Sequence, residues 1–323
     1  MKNTIAIIAG EPNSISSEII FKSWKLRTKY LKKPLFVIGS FKLLDLQRKS
    51  LKYNIKLKKI DENFKLRHLL GPELPVFDIT YNQKKPFEKI SKKSNKYIFK
   101  CFKTALSFIN KKKISGFINC PVSKEHLFKN KYQGVTEYIS KQFGKKYGEV
   151  MLIYNKELAV SPITTHIPLS QVSKKINKKM ITQKVKTINN FFTKVLKKKP
   201  NIAMLGINPH NFSTLKNFEE KKIIKKAIKE LHKSKIKITG PISTDTSFMM
   251  FKKHKFNVIV GMYHDQVLTP FKALYSFNAI NITIGLPFLR ISPDHGVAEN
   301  IIGKKIANPE SLIESIKFFN NIR

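Results

Sequence analysis

The sequence predicts an α/β protein built around largely parallel sheet. Short apolar runs alternate with segments of helical period nearly from end to end, the pattern of strands joined by crossover helices. A hydrophobic fraction of 41% with 11% aromatics over 323 residues supplies a core for one large domain or two ordinary ones, and excludes wholesale disorder. No linker rich in Gly, Ser or Pro divides the chain, so two domains would have to be connected by more than one crossing.

Residues 4–9 read as the first strand, and Ser14, Ser16 and Ser17 offer N-caps to a helix over 18–24. Residues 35–38 form the next strand, followed by a short amphipathic piece through Leu43, Leu44 and Leu46. Ile98, Cys101, Phe102, Ala105, Leu106 and Ile109 recur at helical spacing. Strands are expected at 114–118 and 150–154. Ile181, Val185, Ile188, Phe192 and Val195 make one helix stripe; Ile223, Ile224, Ala227, Ile228 and Leu231 make another. Strands at 202–207, 236–238 and 258–260 are interleaved with these, and Pro309 precedes a closing helix that turns Leu312, Ile313, Ile316 and Phe319 inward.

Sixty-two basic residues against 21 acidic ones give a formal net charge of +41, a balance that points first to nucleic acid or an anionic membrane surface. Only five of the cations are Arg, the residue that planar phosphate and base recognition favours, and the lysines run through almost every segment. The excess reads as a compositional tilt spread over solvated faces, and nucleic acid is not the expected partner. Cys101 and Cys120 are too few for a disulfide framework, the N-terminal apolar run is too short for a signal peptide, and no run approaches a membrane span. These features predict a cytoplasmic protein with no membrane partner.

In open parallel sheets, ligands bind beyond the carboxyl ends of the strands. Thr164-Thr165-His166 follows a run ending at Ile163, Asn208-Pro209-His210 follows the strand at 202–207, and His264-Asp265-Gln266 follows the strand at 258–260. Three of the eight histidines therefore lie just past three strand ends, where they can converge on one divalent cation if those strands are neighbours. His68, His126, His232 and His254 sit among lysines or on presumed helices and read as surface residues. Candidate anion-handling groups gather near the same ends: Lys124, Lys272 one short turn past His264-Asp265-Gln266, and the run that Asn281 opens and Arg290 closes. Arg290 carries most weight, because an Arg in a lysine-rich chain marks a need for the planar fork that grips carboxylate or phosphate, in a ligand or in a structural ion pair. A Gly-x-Gly-x-x-Gly turn and a Gly-x-x-x-x-Gly-Lys-Ser/Thr loop are both missing, which argues against a standard Rossmann dinucleotide site and a P-loop.

The chain resembles the 4-hydroxythreonine-4-phosphate dehydrogenase family along most of its length. The resemblance rests on Gly10-Glu11-Pro12, Pro121-Val122-Ser123-Lys124, Gly134-Val135-Thr136-Glu137, Thr164-Thr165-His166-Ile167-Pro168-Leu169 and Gly206-Ile207-Asn208-Pro209-His210. It continues through Gly240-Pro241, Asp245-Thr246, Met262-Tyr263-His264-Asp265-Gln266 and the run from Asn281 to Arg290. Near the end, His295-Gly296-Val297-Ala298-Glu299-Asn300 and Ile306-Ala307-Asn308-Pro309 resemble the adenosine-binding loop of isocitrate and isopropylmalate dehydrogenases, a superfamily that binds its dinucleotide without the Rossmann fingerprint.

The resemblance implies a two-domain α/β/α fold, with residues 1–125 and 286–323 in a first domain and 126–285 in a second that carries the metal ligands and the contacts of a homodimer. It implies an active site at the dimer interface. There, NAD(P)-dependent oxidation and decarboxylation of 4-phosphohydroxy-L-threonine would give 3-amino-2-oxopropyl phosphate for pyridoxal 5'-phosphate (vitamin B6) biosynthesis. By position, His166, His210 and His264 would hold one divalent metal (zinc, magnesium or cobalt), and Thr136, Lys272, Asn281 and Arg290 would contact substrate. His295, Gly296, Ala298 and Asn308 would contact NAD or NADP. Asp245 and Asp265 are candidates to orient the imidazoles or accept protons, with Lys272 beside them in catalysis.

The chain departs from the family's pattern in several places. The family's Gly-Glu-Pro-Ala-Gly-Ile-Gly-Pro-Glu appears as residues 10–18 with Ser14 and Ser16 in place of the later glycines. Val135 and Ser123 stand where the family has His, and Asn211-Phe212-Ser213 replaces Ala-Gly-Glu after His210. Two alternatives stay open at this point: a paralogous dehydrogenase of another hydroxy acid or diol with an altered pocket, and a basic nucleic-acid-associated non-enzyme on the same scaffold.

Overall fold

The structure, a computed structural model, describes residues 4–128, 132, 134–142, 148–212 and 218–322. Ser213 lies outside them. The described strands are β1 (Ile5–Ile8), β2 (Leu35–Gly39), β3 (Leu57–Ile60), β4 (Leu74–Asp78), β5 (Gly116–Asn119) and β6 (Val150–Tyr154). There follow β7 (Ala159–Pro162), β8 (Ile202–Leu205), β9 (Ile238–Ile242), β10 (Val258–Gly261), β11 (Ile280–Ile284) and β12 (Leu289–Pro293). The chain divides into two compact units, Met1–Tyr138 with Pro287–Arg323, and Ile139–Leu286.

In the first unit the strand order is β3-β4-β2-β1-β5-β12, every neighbouring pair parallel. β1 and β2 are buried throughout, as strands covered on both faces must be. Helix Asn95–Asn110 lays Ile98, Cys101, Phe102, Ala105 and Leu106 against the sheet at the predicted spacing. Phe108 meets Phe36, Phe64 and Phe77 edge-on at 5.0–6.0 Å between ring centroids, a cluster whose truncation at Phe108 would cost about 3–5 kcal/mol. Gly116 is obligatory because a Cβ there would run into the Leu289 carbonyl and the Phe319 ring. Aromatic packing holds Tyr138 in this unit, where it lies against Phe99, Phe102 and Phe128.

In the second unit the order is β11-β6-β7-β10-β8-β9. β11 with β6, and β6 with β7, are antiparallel; β7, β10, β8 and β9 run parallel. Helices Lys178–Lys194 and Lys225–Lys233 bury Ile181, Val185, Ile188 and Phe192 in one case and Ala227, Ile228 and Leu231 in the other.

Several local expectations are corrected. Helix Ser16–Lys25 has Ile15 at its N-cap and no side-chain cap. The Ser14 hydroxyl instead donates to the Glu11 carbonyl at 2.6 Å and accepts from the Ser16 N–H at 3.1 Å, forming a local turn. The run from Asn281 to Arg290 is split between β11 and β12, and the strand expected at 236–238 runs Ile238–Ile242. β3 and β4 had not been anticipated. Among the described residues no helix is long and apolar enough to cross a membrane.

Candidate active site

β7, β10 and β8 are adjacent and parallel, with Val258 opposite both Ala159 and Ile202, so their carboxyl ends lie side by side. Beyond β7 the backbone stays tied to its neighbour. Ile163 N–H donates to the Gly261 carbonyl at 2.8 Å, and the buried Thr164 gives its N–H and its hydroxyl to the Met262 carbonyl at 3.0 and 2.7 Å. That tether brings the rings of His166 and His264 to 5.7 Å between centroids. His264 opens helix His264–Tyr275, so Lys272 sits about two turns along the same helix and not after a short turn. The His264 Nδ1 lies 2.7 Å from the Asp265 Oδ1, a pairing that puts the proton on Nδ1 and leaves the Nε2 lone pair for an electrophile.

The segment leaving β8 is fixed differently. Glu220, 2% exposed, accepts the Ile207 and Asn208 N–H groups at 2.8 Å each and the Asn208 side-chain amide at 3.0 Å. His210 and Asn211 then take left-handed backbone at φ 48° and 59°. The His210 side chain is 83% exposed, with its Nδ1 3.7 Å from the Asp245 Oδ2. The two candidate aspartates are thereby distinguished: Asp265 holds His264, and Asp245 faces His210. Among the described residues, no three His, Cys, Asp or Glu side chains are close enough within the chain to share an ion. His166 and His264 form a pair of nitrogen donors suited to a borderline divalent cation, backed by a carboxylate, and His210 faces Asp245.

Of the candidate substrate contacts in this unit, Lys272 is exposed on its helix. Asn281 is half-buried on β11, and its Oδ1 is enclosed without a hydrogen-bond partner among the described residues.

In the first unit Arg290 is 3% exposed on β12. Its Nε donates to the Asn119 Oδ1 at 2.6 Å, from the end of β5, and a terminal nitrogen reaches the Thr136 hydroxyl at 3.4 Å. Burial pushes the guanidinium down to about 10, with the Glu137 carboxylate opposing the shift. The buried cation is thus framed by Asn119, Thr136 and the Glu137 carboxylate.

The candidate dinucleotide segments converge on the start of helix Ser16–Lys25. The Val297 carbonyl accepts the Ile15 N–H at 3.3 Å, and Ala298 is left-handed at φ 51°. The Glu18 carboxylate, 1% exposed, accepts the Ala307 N–H at 2.8 Å and pairs with Lys22 at 2.8 Å. Lys22 in turn donates to the carbonyls of Lys305 and Ala307 at 2.8 and 2.7 Å. The Asn308 Oδ1 accepts the Glu310 N–H at 2.8 Å, and the His295 Nδ1 lies 3.3 Å from the Gly296 carbonyl oxygen. Glu18 and Glu220 were not singled out from sequence as supports; the readable signal was a Glu within a strongly apolar or turn-forming context, where a carboxylate must find backbone donors.

Ser14 and Ser16 occupy the turn without positive φ, and their hydroxyls bond each other at 2.7 Å, so the loss of the two glycines is accommodated without backbone strain there. Gly10 does require its freedom: φ is 76°, and a Cβ would meet the Pro121 carbonyl. Glu11, buried behind it, has its carboxyl raised by burial, against hydrogen bonds from the Asn13 N–H and the Ser94 hydroxyl. Val135 is buried at the start of helix Val135–Gln142. His126, expected at the surface, is half-buried with its Nδ1 2.8 Å from the Ser123 hydroxyl.

Comparison with known proteins adds an independent line. A family model described as "Pyridoxal phosphate biosynthetic protein PdxA" matches residues 31–319. The 4-hydroxythreonine-4-phosphate dehydrogenase of a Sulfurihydrogenibium species is 37% identical over 320 residues, covering 97% of this chain and 96% of the relative. The D-threonate 4-phosphate dehydrogenase of Salmonella typhimurium is 32% identical over 322 residues, covering 97% of each. A crystal structure of 4-hydroxythreonine-4-phosphate dehydrogenase from Klebsiella pneumoniae matches with a TM-score of 0.82 at 29% identity, covering 99% of this chain and 97% of that one.

Proposed function

The chain belongs to the pyridoxal phosphate biosynthetic protein PdxA family, whose relatives are named as dehydrogenases, and on that premise we propose that it oxidises and decarboxylates 4-phosphohydroxy-L-threonine to 3-amino-2-oxopropyl phosphate. The observation that carries this reading is the His166–His264 pair at the ends of adjacent strands, with Asp265 behind His264. In the reaction the carbon bearing the secondary hydroxyl gives a hydride to NAD or NADP and the hydroxyl gives up its proton. The bond to the carboxylate then breaks, carbon dioxide leaves, and the enolate left behind takes up a proton at the carbon that bore the carboxylate.

A divalent cation (zinc, magnesium or cobalt) held by His166, His210 and His264 would supply Lewis acidity at the substrate's oxygen, favouring proton loss and then accepting charge during decarboxylation. Asp265 keeps the His264 Nδ1 protonated, and Asp245 does the same for His210 once its ring is engaged. Asp245 and Asp265 are also the candidate acceptors of the hydroxyl proton. Arg290 and Thr136 grip one anionic group of the substrate, and Lys272 with Asn281 contacts a second polar group, which fixes the reacting carbon. His295, Gly296, Ala298 and Asn308 contact the dinucleotide on the loop that Glu18 and Lys22 hold.

We further infer a cytoplasmic homodimer whose copies share the metal ligands. Two features support it: one chain gathers no three ligands among its described residues, and Leu169, Met249, Leu274 and Phe277 of the second unit are exposed. A second reading, oxidation of D-threonate 4-phosphate, is favoured by the relative of that name and by the buried Val135 in place of a hydrogen-bonding His. Dinucleotide reduction measured with each compound decides between them. Turnover of D-threonate 4-phosphate alone would sink the first reading.

A further inference from the structure

Gln266 is a fully engaged buried side chain that the reaction above leaves without a role. It lies in the first turn of helix His264–Tyr275 and is 5% exposed. Its Oε1 accepts the Met262 N–H at 2.6 Å, and its Nε2 donates to the Gly206 carbonyl at 2.7 Å and the Thr244 hydroxyl at 2.9 Å. Both amide hydrogens and the amide oxygen are therefore used.

The three partners lie on three different segments. Met262 stands two residues before His264, and Gly206 begins the turn that leads to His210. Thr244 opens helix Thr244–Met250 directly before Asp245, the carboxylate facing His210. One buried amide thus connects the loops bearing His264, His210 and Asp245. The turn after β8 is held from both sides, by its Gly206 carbonyl on Gln266 and by its Ile207 and Asn208 N–H groups on Glu220.

The chemistry selects glutamine. A carboxylate would set an acceptor against the Gly206 carbonyl, an Asn would fall short, and an apolar residue would leave buried polar groups unpaired. Gly261 and Gly206 make room for the arrangement: a Cβ on Gly261 would strike the Gln266 side chain, and one on Gly206 would strike Asn211.

We propose that Gln266 is a positioning residue for the cation ligands, fixing the turn that bears His210 and the helix start that bears His264 on one scaffold. The proposal rests on the metal reading above. It is tested on the full chain in its native assembly, with zinc alone as the probe, in Gln266→Glu, Gln266→Leu and Thr244→Val. The dissociation constant for zinc, from competition with a chromophoric chelator, should rise about tenfold or more in the two Gln266 variants and less in Thr244→Val, as support groups behind metal ligands do. In steady-state assays kcat should fall more than KM. In metal-free protein with isotope-labelled imidazoles, the His210 ring signals should move in Gln266→Glu, although the substitution is on another segment.

Zinc affinity within about twofold of wild type together with unmoved His210 signals would overturn the role, even with a lowered melting temperature. Equal zinc binding by wild type and His264→Ala would instead defeat the metal reading. The metal-free His210 signals of Gln266→Glu then decide the positioning role by themselves, movement upholding it and constancy overturning it. If Gln266→Leu does not fold, the other two variants carry the comparison.

Discussion

The two units prepare charged sites in opposite ways. In Met1–Tyr138 with Pro287–Arg323, the candidate anion-binding group is built into the sheet: Arg290 is buried on a strand and hydrogen-bonded to Asn119 and Thr136. In Ile139–Leu286, the candidate cation ligands stand on loops beyond the strands, two of them paired and the third turned toward Asp245. The difference follows from the groups themselves. A guanidinium keeps its charge at any physiological pH and needs only a hydrogen-bonding frame. Neutral imidazoles have little to hold them together until a cation arrives.

Breaking the loop-borne site should give the largest effect. Exhaustive chelation, and separately His210→Ala, should each reduce turnover to about a hundredth of wild type or less, read as dinucleotide reduction, while circular dichroism shows an intact fold. Retention of full activity after metal removal would erase the contrast between the units. Arg290→Lys should come next. Losing the planar fork should raise KM for the phosphorylated substrate about tenfold or more and leave zinc affinity unchanged, which separates the two sites functionally.

Glu18→Gln sharpens the picture within the first unit. It weakens the hold on Ala307 and should raise KM for the dinucleotide roughly three- to tenfold with kcat nearly constant. The smallest effect is expected at Glu220. Burial alone would push its carboxyl up, but hydrogen bonds from the Asn208 side chain and from the Asn208 and Ile207 N–H groups hold it below its ordinary 4.5. A group depressed in the folded state contributes stability above its unfolded pKa and loses it as pH falls through the folded one. Glu220→Gln should therefore be less stable than wild type by about 1–2 kcal/mol at neutral pH. That gap in thermal unfolding should close on acidification below 4.5.

Much of the sheet was legible because its central strands are continuous runs of Ile, Val and Leu, as at β1, β2 and β10. β3 escaped because two lysines stand inside its four residues, and β4 because Pro75 interrupts it. Helix His264–Tyr275 escaped because Thr269-Pro270 reads as a breaker, whereas the fold tolerates the proline within it. The positions of His166, His210 and His264 past three strand ends were readable. What the sequence did not disclose was the support behind them. Gln266, Glu220 and Glu18 act through backbone partners, and backbone groups are the same in every sequence.

Gly10 has a reach that its place in the chain disguises. Its left-handed turn against Pro121 seats the residues from which helix Ser16–Lys25 departs, and that helix clasps Ala307. A lesion in the opening turn would therefore masquerade as a defect in coenzyme affinity, arising in a stretch of chain almost a full sequence length away.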